Sequence, residues 1–335
     1  MRVEVFKTTD GRATALPMRR LAGPVTVAGA ASLLAAAAFV QEETHRAERQ
    51  NPPIGKFIMV DGVWLHFLDT GGTGPVVALF HGNGAMMADL TISGLIDRAA
   101  QRYRIVAFDR PGYGYSDRPR GKAWTPEAQA DLFAEAFVRL RMNRPIVFGH
   151  SWGTQVALAL ALDHRELVRG LVLASGYYFP TARADTVPFT LSSIPVLGDA
   201  LHYTILPLIG RATAPGVIRK MFAPRPVTRR FAKEFPVGLA LRPSQTRASS
   251  EEAASMIQAA ARLEKRYAEL RLPVTIVAGA EDQIVDTNSQ SGRLHETISQ
   301  SELHVLPGLG HMAHHFAADS MVEAIDDIER AASAS

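Results

Sequence analysis

A serine, an aspartate and a histidine, each close behind an apolar run, are the residues of this 335-residue chain best placed to do chemistry together. Ser151 stands between glycines in Gly149-His150-Ser151-Trp152-Gly153, after Ile146-Val147-Phe148 and before the apolar stretch from Thr154 to Leu162. Asp282 ends Gly279-Ala280-Glu281-Asp282 after Pro273 to Val277, and His311 ends Pro307-Gly308-Leu309-Gly310-His311 after Leu303 to Leu306. A serine hydroxyl is a weak nucleophile at neutral pH unless an imidazole takes its proton and a carboxylate orients that imidazole. These three types together point to acyl transfer.

The elements that must position them are legible in the apolar periodicity. The short runs at 146–148, 273–277 and 303–306 read as buried strands, and Thr154 to Leu162 reads as a helix. Ser151 is therefore expected on a strained strand-to-helix turn, which requires small neighbours at Gly149 and Gly153. The helix starting there aims free N–H groups and its positive dipole end at the same point. Upstream, Val76 to Phe80 reads as another strand, ended by His81-Gly82-Asn83-Gly84, a turn able to present backbone N–H groups. Ser, Asp and His follow one another in that order, each after the carboxyl end of a strand.

The chain thereby resembles the α/β-hydrolase superfamily from about residue 57 to about residue 328. The resemblance rests on HGNG at 81–84, FDRPGYGYSDRP at 108–119, GHSWG at 149–153, GAEDQIV at 279–285 and GLGH at 308–311. It implies an α/β fold with a mostly parallel eight-stranded sheet and the site at the carboxyl ends of the strands. It also implies a helical cap inserted after strand 6, where the strand-helix rhythm breaks between Gly176 and about Ser255. The backbone N–H groups of Asn83 and Trp152 are implied as the oxyanion hole. His81 and Gly82 would shape the oxyanion turn, and His150 would pack the elbow. Cap residues Tyr177, Tyr178, Phe179, Leu201, Tyr203, Leu206 and Met221 would either wall a pocket or pack the cap onto the core.

Epoxide hydrolases and haloalkane dehalogenases of this fold resemble the chain around residues 108–119, but they use a carboxylate nucleophile, and Ser151 argues against both. A serine hydrolase of small or medium carboxylic esters, of carboxylesterase or lipase type, is expected. Carbon-carbon bond hydrolase, lactonase and perhydrolase activities use the same triad, and a slow-turnover small-molecule receptor is the alternative that is not an enzyme. Glu281 and Asp286 flank the acid, but Asp282 holds the matching position. His314 and His315 follow His311, yet without H-E-x-x-H spacing or cysteine ligands they are read as polar residues at a helix start. No metal and no cofactor are expected.

Composition bounds the rest. With 47% hydrophobic residues the chain can bury a full core. No cysteine is present, so disulfides and thiolate chemistry are excluded. The net charge of +3 is spread along the chain, which argues against a nucleic acid partner. The cap is the basic part, carrying Arg211, Arg219, Lys220, Arg225, Arg229, Arg230 and Lys233.

Residues 1–20 read as an N-terminal tail, followed by the uncharged segment Leu21 to Val40 behind Arg19-Arg20. Twenty helical residues suffice to cross the ~30 Å core of a bilayer. The segment is therefore expected to be a transmembrane anchor, a cleaved export signal or a soluble helix packed on the domain, with Met18 an alternative start. Charge bias places the catalytic domain outside the cytoplasm, on the periplasmic side, with the membrane as partner. Residues 41–53 read as a linker, 54–176 and 256–335 as the two parts of the core, and 177–255 as the cap.

Overall fold

Asp61 and Gly62, at φ of 48° and 78°, make a two-residue turn that pairs Val60 with Val63, the tight hairpin that an Asp-Gly pair favours. The computed structural model describes residues 24–181, 192, 194 and 196–333. The hairpin strands are β1 (Lys56–Val60) and β2 (Val63–Asp69). They are followed along the chain by β3 (Val76–Phe80), β4 (Arg104–Phe108), β5 (Ile146–His150), β6 (Gly170–Ala174), β7 (Val274–Gly279) and β8 (Ser301–Leu306). The eight form one sheet in the order β1-β2-β4-β3-β5-β6-β7-β8. β1 and β2 pair antiparallel, as do β2 and β4, and every other pairing is parallel.

The central strands are apolar without alternation because both of their faces are covered. Val147, Leu171 and Leu173 point to one face, under the helices Pro126–Arg139 and Gly153–Asp163. Phe148, Val172 and Val277 point to the other, where Met321, Ile325 and Ile328 of the C-terminal helix Ala318–Ser333 cover them. The parallel strands thus end on one edge, where the loops carrying Ser151, Asp282 and His311 converge.

The insertion after β6 is helical, with Leu197–Tyr203, Leu206–Phe222, Arg229–Glu234, Val237–Ala240 and the long helix Pro243–Leu263. That last helix runs through the boundary expected at residue 255, because Ala259, Ala260 and Leu263 continue its buried stripe onto the core. Tyr177, Tyr178 and Phe179 are buried, and of the three Tyr177 also borders a cavity beside Asp282. The N–H groups of Tyr178 and Phe179 both donate to Gln290 Oε1, at 2.7 and 2.8 Å.

The N-terminal helix spans Pro24–Gln50. Residues 41–50, expected as linker, continue it, because Val40 and Ala47 are buried against the cap and Glu48 pairs with Arg242 at 2.9 Å. No helix among the described residues is long and apolar enough to cross a membrane. The expected span, 21–40, lies partly outside those residues.

Candidate active site

Ser151 sits between the end of β5 and the helix Gly153–Asp163 with φ at 52°, a left-handed conformation costly for a side chain bearing a Cβ. The turn is tight enough to require its glycines. A Cβ on Gly149 would lie 2.6 Å from the Gly153 carbonyl oxygen, and one on Gly153 would lie 2.5 Å from that of Phe80. The Ser151 backbone N–H donates to the Ala174 carbonyl at 2.8 Å, tying the elbow to β6. Ser151 stays partly exposed while its neighbours are buried.

His311 bridges the other two residues. Its Nε2 lies 3.0 Å from Ser151 Oγ and its Nδ1 2.8 Å from Asp282 Oδ2. A carboxylate accepting at Nδ1 fixes the proton there and leaves Nε2 free to accept from the serine. Asp282 is held in turn, since its Oδ1 accepts from the N–H groups of Ile284 and Val285 at 2.8 and 3.0 Å. The neighbouring acids are turned elsewhere. Glu281 is exposed, and Asp286 accepts from Ser289 N–H; the Ser289 hydroxyl first, and then this N–H, lower its carboxyl.

The turn after β3 faces the elbow, with a Cβ on Gly82 placed 3.0 Å from Ser151 Cβ. Among the described residues, the backbone N–H groups of Asn83 and Trp152 have no hydrogen-bond acceptor, so both are free to hold an anion. The turn itself is braced from beneath. Arg110 Nε donates to the His81 carbonyl at 2.9 Å and Nη2 to that of Gly82 at 3.1 Å. The His81 ring donates from Nδ1 to the Gly82 carbonyl at 2.8 Å, and its Nε2 accepts from the Arg110 N–H at 3.0 Å. Burial and the Arg110 charge push His81 down to about 4, so it is neutral where it acts as acceptor.

Arg110 is itself fully buried between the rings of Tyr113 and Trp152, at 4.7 and 4.6 Å. Its counter-ion is Glu252 of the helix Pro243–Leu263. Burial raises the Glu252 carboxyl, but the Arg110 charge outweighs it and the net direction is down. From the same helix, the Ser249 carbonyl accepts from Asn83 Nδ2 at 3.0 Å, and Ser249 Oγ donates to Asn83 Oδ1.

Behind the base lies a second set of imidazoles. His150 donates from Nε2 to the His311 carbonyl at 3.1 Å, and its ring packs on that of His314 with centroids 4.2 Å apart. His314 and His315 both bond from Nε2 to the buried Asp89, at 3.0 and 2.7 Å. They do stand in a short helical turn, Ala313–His315, but as a buried clasp on the loop carrying His311. Burial raises the Asp89 carboxyl, yet the two histidines hold it well below the carboxylate range. Burial pushes His150 and His314 down, so both are neutral at neutral pH. The ligand-type atoms of Asp89, His314 and His315 all lie within 4.8 Å of one another, a convergence the two hydrogen bonds account for.

The structure brings together Ser151, Asp282, His311, Asn83, Trp152, His81, Gly82, Gly149 and Gly153. Sequence reasoning missed Arg110, Glu252 and Asp89. Arg110 was within reach, as it lies inside the 108–119 segment, but Glu252 is 142 residues away from it and carries no local signal.

A serine elbow after β5, an acid after β7 and a histidine after β8, on this sheet order, define a hydrolase of the α/β class. The chain belongs to the alpha/beta hydrolase family, whose family model matches residues 76–324. It is 31% identical over 142 residues to haloalkane dehalogenase 2 of Mycobacterium tuberculosis, covering 42% of this chain and 48% of that one. The match thus spans about half the length of that curated relative. Identity is 27% over 266 residues to the 2-hydroxy-6-oxo-2,4-heptadienoate hydrolase of Pseudomonas putida, covering 78% of this chain and 91% of the relative. A thermophilic esterase from Thermogutta terrifontis superposes with a TM-score of 0.65 at 21% identity, over 83% of this chain and 99% of that one. At that identity the likeness speaks for the fold alone.

Proposed function

We propose that the protein is a serine hydrolase that cleaves a small or medium carboxylic ester through an acyl-enzyme on Ser151. The observation that carries this reading is the His311 ring, placed 3.0 Å from Ser151 Oγ and 2.8 Å from Asp282 Oδ2. His311 takes the hydroxyl proton as Ser151 Oγ attacks the ester carbonyl carbon. The resulting oxyanion is held by the Trp152 and Asn83 N–H groups, each such donor being worth about 3 to 4 kcal/mol in the transition state. Collapse expels the alcohol, which receives the proton from His311. Water, deprotonated by His311, then attacks the acyl-enzyme, and the acid leaves as Ser151 regains its proton.

The relation to a heptadienoate hydrolase over most of both chains supports a second reading, carbon-carbon bond hydrolysis on the same triad. The relation to a dehalogenase does not extend to its chemistry, because the nucleophile here is a hydroxyl.

The deciding experiment is fluorophosphonate labelling of the purified protein beside Ser151→Ala, followed by p-nitrophenyl esters of increasing chain length and a 2-hydroxy-6-oxo-dienoate. Labelling lost in the variant, with steady ester turnover, supports the ester reading. Turnover confined to the dienoate favours the second. No labelling of folded protein moves the weight to a ligand receptor.

The same proposal tethers the domain to a membrane through residues 21–40, on the side away from the cytoplasm, supported by Arg19-Arg20 before the segment and Gln41-Glu42-Glu43 after it. Protease accessibility in intact cells, with sizing of the N-terminus, tests the side and separates a tether from a cleaved signal.

A further inference from the structure

From residue 28 to residue 35 the N-terminal helix is exposed on every side, although its sequence there is Ala-Gly-Ala-Ala-Ser-Leu-Leu-Ala. Leu34 is 72% exposed and Leu33 48%. A helix that is apolar all round belongs in apolar surroundings. Where this helix reaches the domain it lies against the cap. Arg211, on Leu206–Phe222, pairs with Glu43 at 2.9 Å and stands 6.0 Å from the Phe39 ring.

The cap helix Leu206–Phe222 has two faces. Pro207, Ile218 and Phe222 turn inward, the latter two packing with Met312, the residue after His311. Ile209 and Val217, eight residues apart and so on one side of a helix, turn outward with 52% and 54% exposure. Tyr203 and Ile205, just before this helix, are exposed too. Single exposed apolar residues are ordinary, but four of them within residues 203–217, on and just before a cap helix that the bare apolar helix reaches through Arg211, point to a contact surface.

Charge names the partner. Between Ala200 and Lys233 the chain has seven Lys and Arg residues and no Asp or Glu. Arg219 and Lys220, at the end of the outward face, are exposed and have no carboxylate partner among the described residues. Arg211 is neutralised by Glu43 and Arg230 by Asp97 and Glu234, so the free charge beside the exposed apolar side chains is that of Arg219 and Lys220, the pairing of apolar and cationic groups that an interfacial helix offers anionic lipid.

We propose that this cap face rests on an anionic bilayer, the same one that receives helix residues 28–35. Ile209 and Val217 enter the interfacial layer, and Arg219 and Lys220 meet lipid phosphates. The inference rests on the tether of the preceding section and is independent of the reaction chemistry.

The lack of cysteine makes the test site-specific. Full-length protein carrying Ile209→Cys, Val217→Cys or, as reference, Val138→Cys on the core helix Pro126–Arg139 is labelled with an environment-sensitive fluorophore. Each is mixed with phosphatidylglycerol-containing vesicles or with phosphatidylcholine vesicles, and flotation is scored in parallel. Val138 is a fair reference because it is also exposed, at 58%. The expected result is a blue shift and gain in emission at 209 and 217 but not at 138, larger on the anionic vesicles and reduced by Arg219→Glu with Lys220→Glu. Flotation with equal emission at all three positions would overturn the docking and leave the tether standing. Failure to float would overturn both.

Discussion

The guanidinium of Arg110 and the carboxylate of Glu252 meet as a two-point ion pair with no solvent contact, Nη1 to Oε1 at 2.6 Å and Nη2 to Oε2 at 3.0 Å. The pair joins the loop after β4 to the helix Pro243–Leu263. Removing one member leaves the other charge buried alone, which costs about 3–5 kcal/mol. Glu252→Ala should lower the urea midpoint accordingly. Because Arg110 also grips the His81 and Gly82 carbonyls, kcat should fall in the protein that remains folded. An unchanged midpoint would mean that water reaches the pair.

Asp282→Asn tests the tautomer argument. The amide keeps the shape of the carboxylate but can offer a donor to His311 Nδ1, which would put the ring proton on the nitrogen that must accept from Ser151. A loss of about 10⁴-fold in kcat is expected, with little change in fold. The same substitution at Asp286, whose partner is Ser289, should leave kcat close to wild type. A loss at Asp286 equal to that at Asp282 would overturn the assignment of the acid.

Gly153→Ala places a methyl group 2.5 Å from the Phe80 oxygen and 2.7 Å from that of His81. Overpacking of this kind costs about 1–3 kcal/mol. The clash is with the strand that leads into the oxyanion turn, so activity should fall further than the drop in Tm explains. Fluorophosphonate labelling rate, read on folded protein, separates the two effects.

Stability should decline on the acid side. His81 is held at about 4 in the fold against about 6.5 in the unfolded chain, so the folded state favours its neutral form. Its contribution is complete above pH 6.5 and is lost as the pH falls from there to about 4, amounting to about 3 kcal/mol. Burial pushes His150 and His314 the same way, so they act with the same sign. Urea melts at pH 7, 5.5 and 4.5 measure it, and a flat profile would refute the buried neutral imidazoles.

The strands and the candidate triad were legible because both are local signals. Val76–Phe80 is a continuous apolar run with the bounds expected of it, and Ser151, Asp282 and His311 each sit in a turn whose glycines mark it. What escaped depends on distance along the chain. His314 and His315 read as ordinary polar residues until Asp89, 225 residues before His314, is placed between them. The linker failed for a related reason: residues 41–50 are polar enough for a coil, and they are helical because the cap supplies Arg211 and Arg242 as partners for Glu43 and Glu48.

That last feature has a mechanical side. A domain hung on a coil samples many orientations, and its entrance points wherever diffusion turns it. Here a helix of 27 residues, about 40 Å long, enters the cap without a break and is riveted there by ion pairs. With the tether proposed above, it acts as a mast rather than a leash. The direction from which a substrate can enter is therefore set relative to the helix axis, and cutting or hinging the helix near Gln41 would randomise that direction without touching a catalytic atom.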